Sequence, residues 1–181
     1  MSRTLSVSNV LLSIDFVYKN AMTDGTVAEH DSSFSITDSL ATGTSADQSD
    51  RLWYSLGRTL ASGYSEAIDL YDLGSIDIGA GAGKDILGQT LAFAEITALA
   101  VWNKSVSGNL KVGGQGDSTA FQSIFDNDVD AKLIVKAGGF GILYAPSDPA
   151  YAVVDATNHV LKMQASGGAV TYDIFVIGRS A

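Results

Sequence analysis

Residues 159–181, HVLKMQASGGAVTYDIFVIGRSA, decide the fold class. Apolar and polar residues alternate through Leu161 and Met163, break at Gly167-Gly168, and alternate again through Val170, Tyr172, Ile174 and Val176. A period of two marks a strand with one buried face, and a glycine pair between two such runs marks a turn. The second run also places Phe175 and Ile177 on its other face, so that strand is apolar on both sides towards its end.

The pattern continues towards the N-terminus. GNLKVGG at 108–114 and AKLIVKAGGFGILYAP at 131–146 supply the rows Leu110/Val112, Leu133/Val135 and Phe140/Ile142/Tyr144, each expected to point inward. Residues 94–102 put Ile96, Ala98, Ala100 and Trp102 on one face. Leu99 and Val101 fill the other, as in a strand buried on both sides or touching a partner. Ile68 and Leu70 alternate with Asp69. Leu52, Leu56 and Leu60 suit a helical stripe and Leu52, Tyr54 and Leu56 a strand face; Gly57 counts against the helix, and strand is preferred. Near the start, Val10, Leu12, Ile14, Phe16 and Tyr18 oppose Ser13, Asp15 and Lys19. A break at Thr23-Asp24-Gly25 follows, then a weaker strand with Phe34 and Ile36 opposite Ser33, Ser35 and Thr37.

These segments predict an all-β chain. The expected form is a two-sheet antiparallel sandwich of jelly-roll type with about eight to ten strands, formed as one domain over residues 1–181. DSLATGTSADQSD at 38–50 and GSIDIGAGAGKDILG at 74–88 read as exposed loops. Pro146 and Pro149 share one further loop, which keeps the strands' backbone donors intact.

Composition narrows the chemistry. Hydrophobic residues make up 46% of the 181, enough for a real core. The absence of cysteine removes disulfides, thiolate metal sites and thiol nucleophiles, which suits folding in a reducing cytoplasm. Eleven basic against twenty acidic residues give a net charge of −9, the wrong sign for contact with nucleic acid or an anionic membrane. The first twenty residues are interrupted by Ser, Asn and Asp, so neither a signal peptide nor a membrane span is expected.

Each reactive motif meets a plainer alternative. Gly79 to Lys84 suggests a phosphate loop, but three residues separate Gly79 from Gly83 where a P-loop has four. Asp85 then stands where Ser or Thr would hold magnesium, and an inter-strand loop is preferred. Asp126, Asp128 and Asp130 have the spacing that opens a calcium loop, yet Ala131 and Ala137 stand where that loop needs Gly and Glu. A non-standard calcium site stays open there, with an Asx-rich turn preferred. His30 and His159 are the only histidines, and they lie in separate segments. No Ser sits in a nucleophile elbow, and no pair among the twenty acids is singled out for glycoside hydrolysis. No catalytic residue and no cofactor is assigned. Trp53, Tyr54, Tyr64 and Tyr71 are candidates for a carbohydrate or protein interface, whereas Trp102 is expected in the core.

The order of three segments resembles small structural proteins of tailed bacteriophages. They are TLASGYSEAIDL (59–70), LAFAEITALAVWNKSVSGNLKVGG (91–114) and the chain from Ile134 to Ala181. In such proteins a strand ends in Gly-Gly, a basic strand leads to a second Gly-Gly, and a Tyr-containing strand finishes in Ile-Gly. Gly113-Gly114, Gly138-Gly139, Tyr172 and Ile177-Gly178 fall at those places, while Ala137 replaces the Pro of the pattern. The resemblance implies a non-enzymatic virion component, above all a capsid cement or decoration protein. It would be assembled in the bacterial host cytoplasm and sit on the capsid exterior as a homotrimer bound to the major capsid protein. The N-terminal strand and the two loops would supply the contacts. A tail, neck or head-fibre component with a glycan-binding surface is the alternative, and a carbohydrate or cell-wall hydrolase a third.

Overall fold

The computed structural model describes residues 7–21, 27–73, 84, 90–114, 116 and 118–180. Among them lie twelve strands and no α-helix. β1 (Val7–Ala21) and β2 (Val27–Thr42) form a long antiparallel hairpin, and β3 (Gln48–Ser49) adds to the base of β2 in parallel. The remaining strands make two sheets. One runs β4 (Arg51–Leu60), β12 (Val170–Arg179), β6 (Glu95–Asn103), with β9 (Phe140–Tyr144) and β10 (Tyr151–Ala152) sharing the far edge of β6. The other runs β5 (Ser65–Asp69), β11 (Val160–Ser166), β7 (Asn109–Gly113), β8 (Lys132–Val135). All pairings within these two sheets are antiparallel.

One core fills the space between the two sheets. Val170, Tyr172, Ile174 and Val176 of β12 meet Leu161, Met163 and Ala165 of β11, with Leu110, Val112, Ile68, Leu99, Val101 and Trp53 around them. The chain is therefore an all-β sandwich of antiparallel sheets, as alternation predicts. Ten of its strands have four or more residues; β3 and β10 have two. Both prolines fall in the connection between β9 and β10.

Two expected inward faces are inverted, one of them in part, and a third is only partly buried. On β6 Ile96 is buried as expected, but further along the strand Leu99, Val101 and Asn103 are buried and Trp102 is 49% exposed. On β9 Phe140 and Ile142 point out, leaving Gly141 and Leu143 on the inner side. On β8 Val135 is buried but Leu133 is not. β6 and β9 are apolar on both faces, so periodicity defines two faces without saying which one is covered; on β8 the inward face is as expected, but only Val135 of this edge strand is fully buried. The 38–50 loop is also shorter than expected. β2 continues through Thr42, Leu40 and Ser49 are buried, and only residues 43–47 form the turn. Most of residues 74–88 and the whole break at 23–25 lie outside the described residues.

Two glycines of the Gly-Gly and Ile-Gly pattern have a backbone cause. A Cβ at Gly178 would stand 2.2 Å from the Glu95 carbonyl oxygen and 2.6 Å from the Phe93 ring, at the point where the β12–β6 register shifts. Gly138 has φ 73° in the turn closed by the Gly139 N–H donating to Lys136 O at 2.9 Å. Tyr172 has a chemical one. Its phenol donates to Glu66 Oε1 on β5, and Arg58 on β4 grips the same carboxylate through Nε at 3.1 Å and through Nη2. One polar triad thus joins the two sheets.

Burial pushes the Glu66 carboxyl up, but its bonds from Arg58 and Tyr172 outweigh burial and hold it below the usual value. The Tyr172 phenol is pushed above its usual value by burial and by Glu66. A depressed carboxyl stabilises the fold above its unfolded pKa, near 4.5, and that contribution is lost as pH falls through the folded value. Glu66→Gln should therefore be less stable than wild type at pH 7, with the gap closing as urea midpoints are followed below about pH 4.5. A gap independent of pH would show that the triad does not act through ionised Glu66.

Candidate interaction surface

The hairpin leaves the sandwich as an arm. Its fifteen-residue first strand spans ~50 Å at about 3.4 Å per residue. Antiparallel pairing puts Leu12 opposite Ile36 and Ile14 opposite Phe34, so these four share one face with Val10 and Tyr18. The other face pairs Asp15 with Ser33, Val17 with Asp31 and Lys19 with Glu29, the last as an ion pair at 2.8 Å. This is the two-faced pattern of a core hairpin, yet among the described residues its apolar side stays exposed. Ile14 is 51% and Phe34 52% exposed, and Ile36 and Tyr18 are also exposed.

The arm's root, by contrast, is fixed. Leu40 is buried, and the Tyr144 hydroxyl donates to Asp38 Oδ2 at 2.8 Å. Ser49 Oγ and Thr97 Oγ1 share a buried hydrogen bond of 2.8 Å. Arg179, 1% exposed, then ties four segments together. Its Nε donates to Gln48 O at 2.9 Å and its Nη2 to Pro146 O at 2.7 Å. Its Nη1 donates to Ser147 O at 2.8 Å and to Glu95 Oε2 at 2.7 Å. A planar, always-charged guanidinium is the side chain best able to satisfy a carboxylate and several carbonyls at once.

A second uncovered apolar face lies on the sandwich, on the outer side of β4, β12, β6 and β9. Register places Tyr54, Phe175, Ala100 and Ile142 in one row across the four strands, with Trp102 and Phe140 in the next. Tyr54 and Phe175 stack with ring centroids 5.9 Å apart. Leu56, Trp102, Phe140 and Ile142 are exposed around a groove of about 300 Å³ floored by Ala100. At its rim Lys104 Nζ lies 5.6 Å from the Trp102 ring centroid and 3.2 Å from Asp173 Oδ2.

The sequence-level candidates separate accordingly. Trp53 is buried in the core (1% exposed) and cannot form an interface; Tyr64 and Tyr71 are exposed. Trp102, expected in the core, is instead a principal surface residue. Asp126, Asp128 and Asp130 lie in the turn before β8, where Asp128 Oδ1 accepts the Asp130 N–H at 2.8 Å as an Asx turn. No group of three or more His, Asp or Glu side chains among the described residues is arranged to hold a metal ion. His159 Nδ1 lies 2.8 Å from Asp69 Oδ1, while His30 pairs across the arm with Tyr18 in backbone register. No helix among the described residues is long and apolar enough to cross a membrane. No protein-family model matches the chain, and no curated protein matches it.

Arg179→Met takes the guanidinium away from Glu95 and three backbone carbonyls, leaving Glu95 Oε2 with the Ala150 N–H, Pro146 O with the Asp47 N–H and Gln48 O with the Ser49 hydroxyl. Removing one partner of a buried pair costs about 3–5 kcal/mol, and a loss of that size is expected in urea unfolding of the variant. A loss below ~1 kcal/mol, the range of exposed ion pairs, would mean that the root does not depend on Arg179.

Proposed function

We propose that this chain is a non-enzymatic structural component of a tailed-phage particle. In its most specific form it is a cement or decoration protein that binds the major capsid protein on the capsid exterior. The observation that carries an assembly role is the arm: a hairpin whose Ile14, Phe34, Ile36 and Tyr18 share one largely apolar face, stand exposed among the described residues, and are joined to the sandwich at a bonded root. Isolated hairpins gain little from folding alone, and an exposed contiguous apolar face is the mark of an interface. The phage setting comes from the resemblance of the order Gly113-Gly114, Gly138-Gly139, Tyr172, Ile177-Gly178, of which Gly178 meets a steric demand and Tyr172 a polar one in this fold.

The mechanism is contact across neighbours. A small protein that bridges shell subunits adds its interface energy once per symmetry-related site, and a trimer engages several subunits at once. A net charge of −9 suits an outer face, away from packaged DNA. The chain would be made in the host cytoplasm and end on the virion.

A tail, neck or head-fibre place with a glycan-binding surface is the second reading, favoured by the exposed Trp102 with Lys104 and Asp173 at its edge. The groove beside them is lined almost wholly by apolar side chains, whereas a sugar needs several polar partners, so the capsid reading is preferred.

The test is co-sedimentation with phage shells that lack the protein. Wild type should pellet with the shells and raise the temperature at which they disrupt. Ile14→Asp combined with Phe34→Asp should weaken that binding at least tenfold. Binding to isolated tails in place of shells would overturn the cement role.

A further inference from the structure

We infer that the apolar face of the arm docks on the Trp102–Phe140 face of a second copy of this chain, so that copies join by exchanging arms. This rests on the assembly role proposed above and names the occupant of its surface.

The two faces are uncovered in the same molecule and do not cover each other. Ile14, Phe34 and Ile36 remain about half exposed, as do Trp102 and Ile142, and Phe140 is 66% exposed. The root holds the arm away from the sandwich's own outer sheet, because Arg179, Tyr144 and Leu40 fix where it departs. Its reach is sufficient for a neighbour. The roughly 140 residues of the sandwich make a body about 35–40 Å across, and the arm is about as long.

Size and shape agree with a stable contact. Large side chains carry on the order of 200 Å² each, so half-exposed ones release roughly 100 Å² each when covered. Four such residues on the arm (Ile14, Tyr18, Phe34, Ile36) and five on the sandwich (Leu56, Trp102, Phe140, Ile142, Phe175) bring the buried total to about 900 Å², close to the size at which specific interfaces begin. A two-stranded sheet laid face to face on a four-stranded one is the ordinary sheet-on-sheet packing of β-proteins. The protruding pair Ile14 and Phe34 meets a groove of about 300 Å³ whose floor is the small Ala100.

Charge points the same way. Two copies at net charge −9 repel at long range, so they associate where charge is missing. Asp38, on the arm's apolar face, is already bonded to Tyr144, and Asp173, on the sandwich face, is paired with Lys104. The free acids Asp15 and Asp31 lie on the arm's opposite face and stay in water. The contact joins two different surfaces, and either a reciprocal pair of copies or a closed ring uses every arm and every groove once.

Light-scattering mass of the full chain tests this with two surface variants, an arm variant (Ile14→Asp with Phe34→Asp) and a groove variant (Phe140→Asp with Ile142→Asp). Wild type should have a closed multiple of the mass of one chain, two or more, and each variant alone should be monomeric. Mixed in equal amounts, they should form a dimer of one of each, because the groove variant's intact arm fits the arm variant's intact groove. Cooperative urea unfolding checks that each variant is folded, and Ser replaces Asp in any that is not. Loss of association in the arm variant alone would mean arm-to-arm pairing and overturn the exchange, as would a mixture that stays monomeric. Wild-type monomers that still bind phage shells overturn the exchange but leave the assembly role in place. Monomers that also ignore shells remove both.

Discussion

A guanidinium buried to 1% exposure has to be surrounded by acceptors, and the set that surrounds Arg179 determines the shape of this molecule. Its partners come from β3, from Glu95 at the start of β6, and from the loop between β9 and β10. Arg179 itself ends β12, the central strand of the first sheet. One side chain therefore locks the middle of the sandwich to the foot of the arm. The adjacent bonds, Tyr144 to Asp38 and Ser180 to Asp50, extend the same lock on either side. Without it the hairpin would be a tethered ribbon; with it the hairpin leaves the body in a set direction.

That rigidity gives the uncovered faces their meaning. Ordering a long hairpin costs conformational entropy, and its recovery depends on burying one face. The sandwich recovers its own cost through the common core of both sheets and through the Arg58–Glu66–Tyr172 triad between them. The arm has no such return within one copy. Its apolar side is built to the specification of a core strand, and the outer face of β4, β12, β6 and β9 is built the same way. Both are explained if the folded unit is larger than one chain.

The fold was legible in the sequence wherever one face of a strand is polar. β7, β11 and β12 place Leu110, Val112, Leu161, Met163, Tyr172 and Ile174 in the core along the rows that alternation marks. Legibility fails where both faces are apolar. Trp102 and Phe140 alternate as cleanly as core residues, and the choice of face is made by which sheet lies opposite. The arm shows the same limit in another form: the row of Val10, Leu12 and Ile14 is plain in the text, but alternation cannot say whether its cover belongs to the same molecule. Arg179 leaves no local signal at all, since its partners lie 32 to 131 positions away in the chain. Leu40 is similar: it sits in a polar stretch and is buried by what packs around the arm's root.

The most direct measurement of the central claim uses the absence of native cysteine. Ile14→Cys places a single thiol on the arm's apolar face, and Ser13→Cys places one next to it on the polar face. Thiol labelling rates are compared between the isolated chain, diluted until monomeric, and the assembled state. If the apolar face is an interface, assembly should slow labelling at position 14 at least tenfold and leave position 13 nearly unchanged. Equal labelling of position 14 in both states would contradict it.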